Sequence, residues 1–496
     1  MASSDGGAPA METTRRSFLY SFAEKYTSLL LSTAGAMVIS RVLTPAEIGV
    51  YSVGAVLVGL AQVVRDFGVG QFLIQERQLT DEKLRAALTV SIGVAWLLAA
   101  LVWLASGPVA TFYHEPRLRK VLVLLACNFL LLPFGATTLV CLRRAMRFSA
   151  IYAINTVHSV VQLGCTLALA LLGWSYLSLA WGAVAATGAS LLASLYFRPA
   201  GLPWLPGWRG VRGVLSFGAL ATGGGVVDEI GVAAPELIIG KFLGVAEVGL
   251  FGKAMGLLNV FNQLITGAVS PVIFPWFSMQ ARAGQDVRAA YLKTLACMTA
   301  LAWPFFSFVA LTAGPLLRLL YGPQWDAAQP LIRIMCFSSA FYSMFSMARY
   351  LFVALGQVRM QATLDAQAVP ARVAAVLLAT PFGLAWVAWA VVFGALFRSW
   401  LTWRCLVRLT DMTAAQLLAA LWRSAIVTAA AAGGAVAMQW TWQDDAAHPL
   451  PRLLASALAC LLCWLAAVLA CGHPLGAEIG LAGRKSLSIL TRQGRT

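Results

Sequence analysis

Five basic residues lie in or beside apolar stretches of the sequence, where a charge is costly. They are Lys25, Arg65, Lys253, Arg349 and Arg372. A charged side chain at membrane depth is strongly unfavourable unless it is hydrated or paired, so such residues indicate function by default. The carboxylates in comparable positions are Asp228, Glu229 and Asp365. A cavity lined by this set would be positively charged, which predicts an anionic cargo.

Two of these carboxylates, Asp228 and Glu229, follow the successive glycines at 223–225. Successive glycines predict an irregular backbone. Carboxylates beside a broken helix often bind a proton or a sodium ion in transporters, which predicts ion coupling through Asp228 or Glu229. The alternative is that they pair with Lys25 or Lys253, or lie near a hydrated helix end. A nucleotide-binding loop is excluded, because no strand precedes the glycines and no Gly-Lys-Ser/Thr follows them.

The composition places these charges in an all-α polytopic membrane protein. Of the 496 residues, 60% are hydrophobic and 11% are charged, and the mean hydropathy is +0.78. A water-soluble domain cannot bury that much apolar surface. Apolar windows of about 20 residues predict roughly fourteen transmembrane helices, near 19–39, 47–66, 86–106, 121–140, 149–172, 177–197, 213–235, 248–270, 290–312, 328–348, 360–380, 383–403, 417–439 and 452–471. The short loops leave no room for a soluble catalytic domain, so we predict that the protein is not an enzyme.

The formal net charge of +16 is interpreted as a topology signal rather than as a sign of nucleic-acid binding. If the amino terminus is inside, Lys and Arg are concentrated in the inner segments, as expected from the retention of positive charge on the cytoplasmic side. Both termini are therefore predicted to be cytoplasmic. The same basic rim is expected to attract anionic lipid headgroups.

The segment Ser40–Tyr51 is repeated at Gly240–Phe251. Each copy joins two apolar stretches and is interpreted as a short turn between helices. The matching residues of the two turns are Arg41, Glu47 and Gly49 in the first copy, and Lys241, Glu247 and Gly249 in the second. The glutamates would favour the positive end of the following helix, and the glycines would let neighbouring helices approach closely. The simplest interpretation is that these residues only shape the turn.

The repeat predicts two homologous halves. The expected organisation is a disordered cytoplasmic tail at 1–16, an N-terminal six-helix bundle at 17–197, a cytoplasmic linker at 198–212, a C-terminal six-helix bundle at 213–408, two additional transmembrane helices at 409–473 and a cytoplasmic tail at 474–496. Because an even number of helices precedes the linker, both halves enter the membrane in the same direction and should be parallel repeats.

The nine cysteines lie within or at the ends of apolar spans. Cys460 and Cys463 form a Cys-x-x-Cys pattern inside a hydrophobic helix, with no histidine or acidic residue nearby. A structural role is therefore favoured over metal binding or redox chemistry. No disulfide framework, metal or other cofactor is expected, apart from a coupling proton or sodium ion.

The repeated turns resemble a known family of transporters. The resemblance is carried by Arg41–Tyr51, its continuation Arg65–Gly70, and Ile239–Phe251. These segments are similar to the polysaccharide transporter (oligosaccharide flippase) branch of the multidrug/oligosaccharidyl-lipid/polysaccharide flippase superfamily, and the resemblance covers nearly the whole chain. It implies a MATE/flippase-like fold of two six-helix bundles facing each other in a V, alternating access, and the bacterial inner membrane.

The resemblance also bears on single residues. Arg65 falls near a basic position used by lipid-linked flippases of this superfamily. Relatives often carry a basic residue at the position of Met255, whereas here the basic residue is Lys253. Some relatives carry an aspartate where Pro235-Glu236 stands.

Three functions are considered. The main hypothesis is a flippase for undecaprenyl-diphosphate-linked oligosaccharide in exopolysaccharide, capsule or O-antigen synthesis, because a groove lined with Lys and Arg would replace hydration that the diphosphate loses in hydrocarbon. The alternatives are a cation-coupled multidrug exporter of the same superfamily and a membrane scaffold that only assembles glycan enzymes. The expected partners are the lipid-linked oligosaccharide and membrane lipids, with a polysaccharide polymerase and a chain-length regulator as candidates, and no nucleic acid.

Overall fold

The computed structural model describes the backbone of residues 7–66, 68–76, 79–441 and 449–480. Every regular element in these ranges is a helix. Twelve of the described helical segments are long and apolar enough to cross a membrane, so the chain is a multi-pass membrane protein. The predicted all-α polytopic class is confirmed, whereas the count of about fourteen is not. The two further predicted spans fall on the helices Gly7–Val42 and Val211–Phe242, some of whose side chains lie outside the described part.

The chain divides into two compact units, Met1–Gly252 and Lys253–Thr496. The helices of the first unit are α1 Gly7–Val42, α2 Pro45–Asp66, α3 Val69–Gln75, α4 Asp81–Tyr113, α5 Arg117–Arg144, α6 Phe148–Leu171, α7 Leu177–Tyr196 and α8 Val211–Phe242. The boundary between the units falls inside α9, Val245–Phe261.

Helix α5 is central in the first unit, because it packs against α2, α4 and α7. Its most apolar stretch is 56% buried, against 17% for α6. Close approach of α7 to α6 depends on Gly182, where a Cβ atom would lie 1.9 Å from Thr166 Oγ1. Small residues at such crossings are the usual way in which membrane helices pack tightly.

The irregular backbone expected at Gly223–Gly225 does not form. Helix α8 is continuous from Val211 to Phe242 and contains Pro235 as well as the glycines. In hydrocarbon no water can satisfy backbone groups that a break would release. An unbroken helix is therefore favoured over the conformational freedom of the three glycines.

The first helix also begins earlier than expected. Helix α1 starts at Gly7, inside the segment 1–16 that the sequence indicated as a disordered tail. Residues 7–16 contain Ala8, Ala10, Met11 and Glu12, whose high helix propensity favours continuing the helix in this direction. At the other end, residues 474–480 of the expected tail 474–496 are helical as well, and residues 1–6 and 481–496 lie outside the described part.

The helices of the second unit are α10 Gly267–Arg282, α11 Val287–Leu311, α12 Ala313–Leu320, α13 Gln329–Met344, α14 Ala348–Ala354, α15 Val358–Ala379, α16 Leu384–Thr410, α17 Ala414–Thr441 and α18 Pro449–Ala470. A π-helical turn, Asn262–Thr266, joins α9 to α10, and 3-10 turns lie at Pro323–Ala328 and Thr380–Phe382. Helix α11 packs against α13 and α17, and α16 packs against α13 and α15.

The C-terminal pair α17 and α18 is hydrogen-bonded to α11. Thr299 Oγ1 lies 2.9 Å from Ser424 Oγ, and Trp464 Nε1 donates to a backbone carbonyl of α11 at 2.8 Å. After α18, the buried His473 accepts a hydrogen bond from Leu475 N at Nδ1, 3.1 Å. Nε2 therefore carries the proton and lies 3.1 Å from Ser424 Oγ. This chain of hydrogen bonds ties the two additional helices to the rest of the second unit.

Candidate functional site

A cavity of about 430 Å³ opens at the C-terminal end of α2 in the first unit, between α2, α3, α4 and α5. Its polar lining residues are Arg65, Asp66, Gln71, Ser91, Thr137 and Arg143, and its apolar ones include Leu132, Pro133, Leu139 and Val140. Arg143 lies in the last turn of α5, and Pro133 lies about 15 Å earlier along that helix. The cavity thus joins a charged end to an apolar wall.

Arg65 and Asp66 form an ion pair at the charged end of this cavity. Arg65 Nε donates to Asp66 Oδ1 at 3.1 Å, and Nη2 reaches the same oxygen. The Arg65 side chain is 19% exposed, whereas that of Asp66 is 70% exposed. The guanidinium therefore lies mostly inside the protein while the carboxylate keeps most of its water, and the pair contributes little to stability.

The short helix α3 gives the cavity one of its walls. Gly68 adopts φ 61° before α3, a left-handed conformation that favours glycine. The apolar run after Arg65 then forms α3, whose Val69 and Leu73 are buried against α4. An apolar run, residues 67–74, follows Arg65 in the sequence and favours a deeper position for Arg65 than an ordinary helix end, and the turn at Gly68 lets this run form a helix of its own.

Two adjacent arginines at the end of α5 differ in their surroundings. Arg144 Nη1 donates to the carbonyl oxygens of Leu73, at 2.8 Å, and Glu76, so it fixes the end of α3. Arg143 lines the cavity and is exposed. It has no hydrogen-bond or ion-pair partner among the described residues, so its guanidinium is available to a ligand.

Lys253, in α9, is held by aromatic rings. Its Nζ lies 4.9 Å from the ring centroid of Tyr321 and 5.2 Å from that of Trp325. Tyr321 and Trp325 are buried, and no carboxylate of the described residues pairs with Lys253. The ring faces take the place of a counter-ion, which is worth about 1–2 kcal/mol when the cation is desolvated.

Arg349 and Arg372 lie in the second unit. Arg349 lines a small cavity of about 50 Å³ together with Gln361 and Arg398. Arg398 Nη2 is 2.7 Å from Asp365 Oδ1, and Gln361 Nε2 donates to Asp365 Oδ2 at 2.7 Å. This buried network connects α15 with α16.

Arg372 packs along α16. A Cβ atom at Gly394 would lie 2.9 Å from Arg372 Cγ. The absence of a side chain at Gly394 thus makes room for the half-buried arginine, whose stem covers the neighbouring helix.

Lys25 and Glu229 are not among the described residues that line the cavity at the end of α2. Lys25 is half-buried in α1, and its neighbour Glu24 accepts a hydrogen bond from Asn155. Glu229 is half-buried in α8, 4.0 Å from the position that a Cβ atom would take at Gly59. The side chain of Asp228 lies outside the described residues, so the ion-coupling hypothesis stays a prediction.

The first repeated turn is a helix start with a capping box. Glu47 Oε2 accepts hydrogen bonds from Thr44 N at 2.7 Å and Thr44 Oγ1 at 2.8 Å, and Glu47 N donates to Thr44 Oγ1 at 3.3 Å. Ser175 also donates to Glu47. Arg41 lies in the last turn of α1, where a cation is favoured.

The second turn differs, because Gly244 stands where the first has Thr44. Glu247 lies in the first turn of α9 beside Gly244 but has no capping threonine. Lys241 donates to the carbonyl oxygen of Phe112 and lies 4.3 Å from the centroid of its ring. Both turns thus secure helix starts, but with different contacts.

The two repeated glycines make reciprocal contacts. A Cβ atom at Gly49 would lie 1.6 Å from Val245 O, and one at Gly249 would lie 2.1 Å from Pro45 O. Pro45 and Val245 are the first residues of α2 and α9 and occupy equivalent places in the repeat. The two helix starts therefore cross with pseudo-two-fold symmetry at a distance that only glycine allows.

Sequence reasoning did not select Asp66 and Arg143 as site residues. Both stand at helix ends among other charges, where a hydrated position is the ordinary outcome. Proximity of Arg143 to Arg65 depends on the packing of α5 against α2, and the sequence spacing alone does not show it. The nearest sequence signal was the largely apolar run after Arg65, which favours a deeper position for that arginine but selects neither Asp66 nor Arg143.

This architecture is that of known membrane transporters. The structure titled "Lipid II flippase MurJ, inward closed conformation" superposes with a TM-score of 0.72 at 12% identity, over 90% of this chain and 98% of MurJ. An inward-facing multidrug resistance MATE family transporter of the MOP superfamily superposes with a TM-score of 0.61 at 13% identity, over 78% of this chain and 96% of the other. At these identities the likeness shows the fold alone, and the predicted MATE/flippase-like class is confirmed.

The family follows from the sequence. The family described as "Polysaccharide biosynthesis protein" matches residues 38–330, which is more than half of the chain. The chain therefore belongs to this family, and the resemblance drawn from the repeated turns is confirmed. The two solved structures that share this fold are titled as a flippase and as a multidrug resistance transporter.

Three relatives have names that indicate polysaccharide synthesis. The teichuronic acid biosynthesis protein TuaB of Bacillus subtilis (strain 168) is 25% identical over 55% of this chain and 57% of its own length. The lipopolysaccharide biosynthesis protein WzxC of Escherichia coli (strain K12) is 21% identical over 60% and 61%. The succinoglycan biosynthesis transport protein ExoT of Rhizobium meliloti (strain 1021) is 23% identical over 66% and 66%. The chain thus spans less than two thirds of the length of each relative.

Proposed function

We propose that the protein moves an undecaprenyl-diphosphate-linked oligosaccharide across the bacterial inner membrane for exopolysaccharide, capsule or O-antigen synthesis. The observation that carries the proposal is the cavity at the end of α2, which is lined by the guanidiniums of Arg65 and Arg143 and by an apolar wall along α5. The family match and the names of the relatives support polysaccharide synthesis as the setting. Transport would occur by alternating access.

Both termini are proposed to be cytoplasmic, because the excess of Lys and Arg lies in segments that this orientation places inside. The end of α2 then faces the cytoplasmic leaflet, in which a lipid-linked substrate would be assembled. Guanidinium groups at this depth would replace part of the hydration that a diphosphate loses on leaving water.

The proposed substrate contacts are basic and come from both halves. They are Lys25, Arg65, Lys253, Arg349 and Arg372. Asp228 or Glu229 would bind the coupling proton or sodium ion, if transport is ion-driven. The proposed halves are the bundles 17–197 and 213–408, connected by the linker 198–212, with 409–473 as an added helix pair. A polysaccharide polymerase and a chain-length regulator are the proposed protein partners.

The test is an in-frame deletion of the gene in its own host. We expect lipid-linked repeat units to accumulate on the cytoplasmic leaflet and secreted polymer to fall. Plasmid-borne wild type should restore export, and Arg65→Gln should restore it poorly while reaching the same membrane level. Normal polymer secretion in the deletion strain would contradict the proposal.

The same strain separates the alternative functions. Sensitivity to toxic cations with intact polymer would indicate a multidrug exporter. Full export by an Arg65→Ala/Lys253→Ala double variant would indicate a scaffold that only assembles glycan enzymes. Accumulation of lipid-linked repeat units on the cytoplasmic leaflet is the result that only the flippase hypothesis predicts.

A further inference from the structure

We propose that the cavity at the end of α2 binds the diphosphate end of a lipid carrier through two guanidinium groups, Arg65 and Arg143, and that Asp66 is an internal anion which the diphosphate displaces. The inference rests on the proposed function, since it assigns a part of the substrate to this cavity. Arg143 and Asp66 are the new elements, because neither follows from the sequence pattern that selected Arg65.

The charge balance of the cavity favours a ligand with more than one negative charge. Asp66 neutralises Arg65, and among the described lining residues Arg143 is the other cation. A phosphodiester headgroup carries one charge and can be balanced by Arg143 alone. A diphosphate can engage both guanidiniums, each of which presents paired N–H donors that match phosphate oxygens.

Displacement of Asp66 is inexpensive. Its side chain is 70% exposed and touches Arg65 through a single carboxylate oxygen. Turning it outward therefore requires little new hydration, and exposed ion pairs of this kind are weak. Arg65, at 19% exposed, remains in place and is left facing the ligand.

The apolar part of the cavity explains why the ligand is a lipid rather than a free anion. Leu132, Pro133, Leu139 and Val140 form a wall along α5 that begins within one turn of Arg143 and runs toward the start of the helix. A hydrocarbon chain attached to the diphosphate can lie against this wall, whereas inorganic diphosphate leaves it in contact with water. Arg144 does not contribute, because its guanidinium is occupied by the backbone of α3.

The experiment measures binding to the purified full-length chain in detergent. The probes are undecaprenyl diphosphate, phosphatidylglycerol and inorganic diphosphate, compared by native mass spectrometry and by competition. We expect undecaprenyl diphosphate to bind at least about tenfold more tightly than either other probe, since only it satisfies both guanidiniums and the apolar wall. Equal affinity for phosphatidylglycerol would overturn the proposal and assign the cavity to phospholipid headgroups.

Two substitutions with opposite expected effects test the two new residues. Arg143→Gln should weaken undecaprenyl diphosphate binding about tenfold, because a charge-assisted contact is lost. Asp66→Asn should strengthen it about threefold, because the internal competitor is removed. The matched control is Arg147→Gln, an exposed arginine four residues after Arg143, directly before α6, that does not line the cavity, and it should bind as the wild type does.

Failure of this inference is distinguishable from failure of the proposed function. If Arg143→Gln binds the probe as tightly as Arg147→Gln, or if Asp66→Asn weakens binding, the inference is wrong even when deletion of the gene blocks export. If deletion leaves export unchanged while Arg143 controls diphosphate binding, the proposed function is wrong and the site stands. A thermal unfolding scan of each variant verifies that the fold is retained.

Discussion

Replacing Gly49 by alanine tests the contact between the starts of α2 and α9. The added Cβ atom would lie 1.6 Å from Val245 O, and the obstacle is backbone rather than the end of a flexible side chain. An ordinary contact of a Cβ atom needs about 3.4 Å or more, so one helix start has to move by about 1.8 Å. Overpacking of this kind costs about 1–3 kcal/mol, and we expect a value near 3 because backbone must shift.

The assay is thermal unfolding of the purified protein in detergent, followed by intrinsic tryptophan fluorescence. Gly252→Ala is the control, since Gly252 lies in α9, the helix whose start Gly49 meets, and a Cβ atom there meets nothing within 4 Å. In that open helical position alanine is favoured over glycine by up to about 1 kcal/mol. The two substitutions should therefore change the unfolding temperature in opposite directions.

The reciprocal geometry adds a second check. Gly249→Ala places its Cβ atom 2.1 Å from Pro45 O, at the same helix crossing. Once the helices have separated to admit one methyl group, the second should cost less, so the double variant should be less destabilised than the sum of the single variants. If Gly49→Ala unfolds at the same temperature as Gly252→Ala, this account of the crossing is refuted.

Three further predictions concern single charged or titratable groups. Burial, and to a smaller extent the charge of Arg423, lowers the pKa of His473 below its ordinary value. The contribution of neutral His473 to the free energy of unfolding should therefore be fully present above about pH 6.5 and should be lost as the pH falls below it. The unfolding temperature of His473→Gln should depend less on pH. Lys253→Met removes about 1–2 kcal/mol of cation–π energy and should lower polysaccharide export even where the variant stays folded; unchanged export at a lower unfolding temperature would assign a structural role to Lys253. Asp365→Ala should cost about 3–5 kcal/mol by leaving Arg398 unpaired. Urea or thermal unfolding should show that the double variant with Arg398→Met is more stable than Asp365→Ala alone.

The helices were predictable because hydropathy over about 20 residues responds to a single property, the length of apolar chain that crosses the bilayer. Breaks within helices were less predictable. The glycines at 223–225 remain helical, whereas Gly68 separates α2 from α3 with φ 61°. A glycine permits a break but does not require one, and whether the chain turns depends on what the following residues can pack against.

The capping box of α2 was readable from Thr44 and Glu47, which have the spacing of that motif. Its absence from the second turn also follows from the sequence, since Gly244 replaces the threonine. The sequence predicted that the glycines of the two turns let neighbouring helices approach closely, but it did not predict which helices meet. That Gly49 meets the start of α9 and Gly249 meets the start of α2 depends on tertiary packing, which a repeat of residues does not specify.

The partners of the charged residues were the least predictable part of the site. Lys253 faces Tyr321 and Trp325, and Arg144 faces the end of α3, in each case across more than sixty residues of sequence. The sequence shows that a charged residue lies in an apolar stretch, where its charge is costly, but it does not show which groups compensate that charge. The partners of a basic residue matter for function, because a side chain whose N–H groups already contact aromatic rings or carbonyl oxygens has fewer of them left to bind a ligand. Arg143 has no such partner among the described residues, so on this criterion a residue that the sequence did not select is a stronger candidate for anion binding than Lys253.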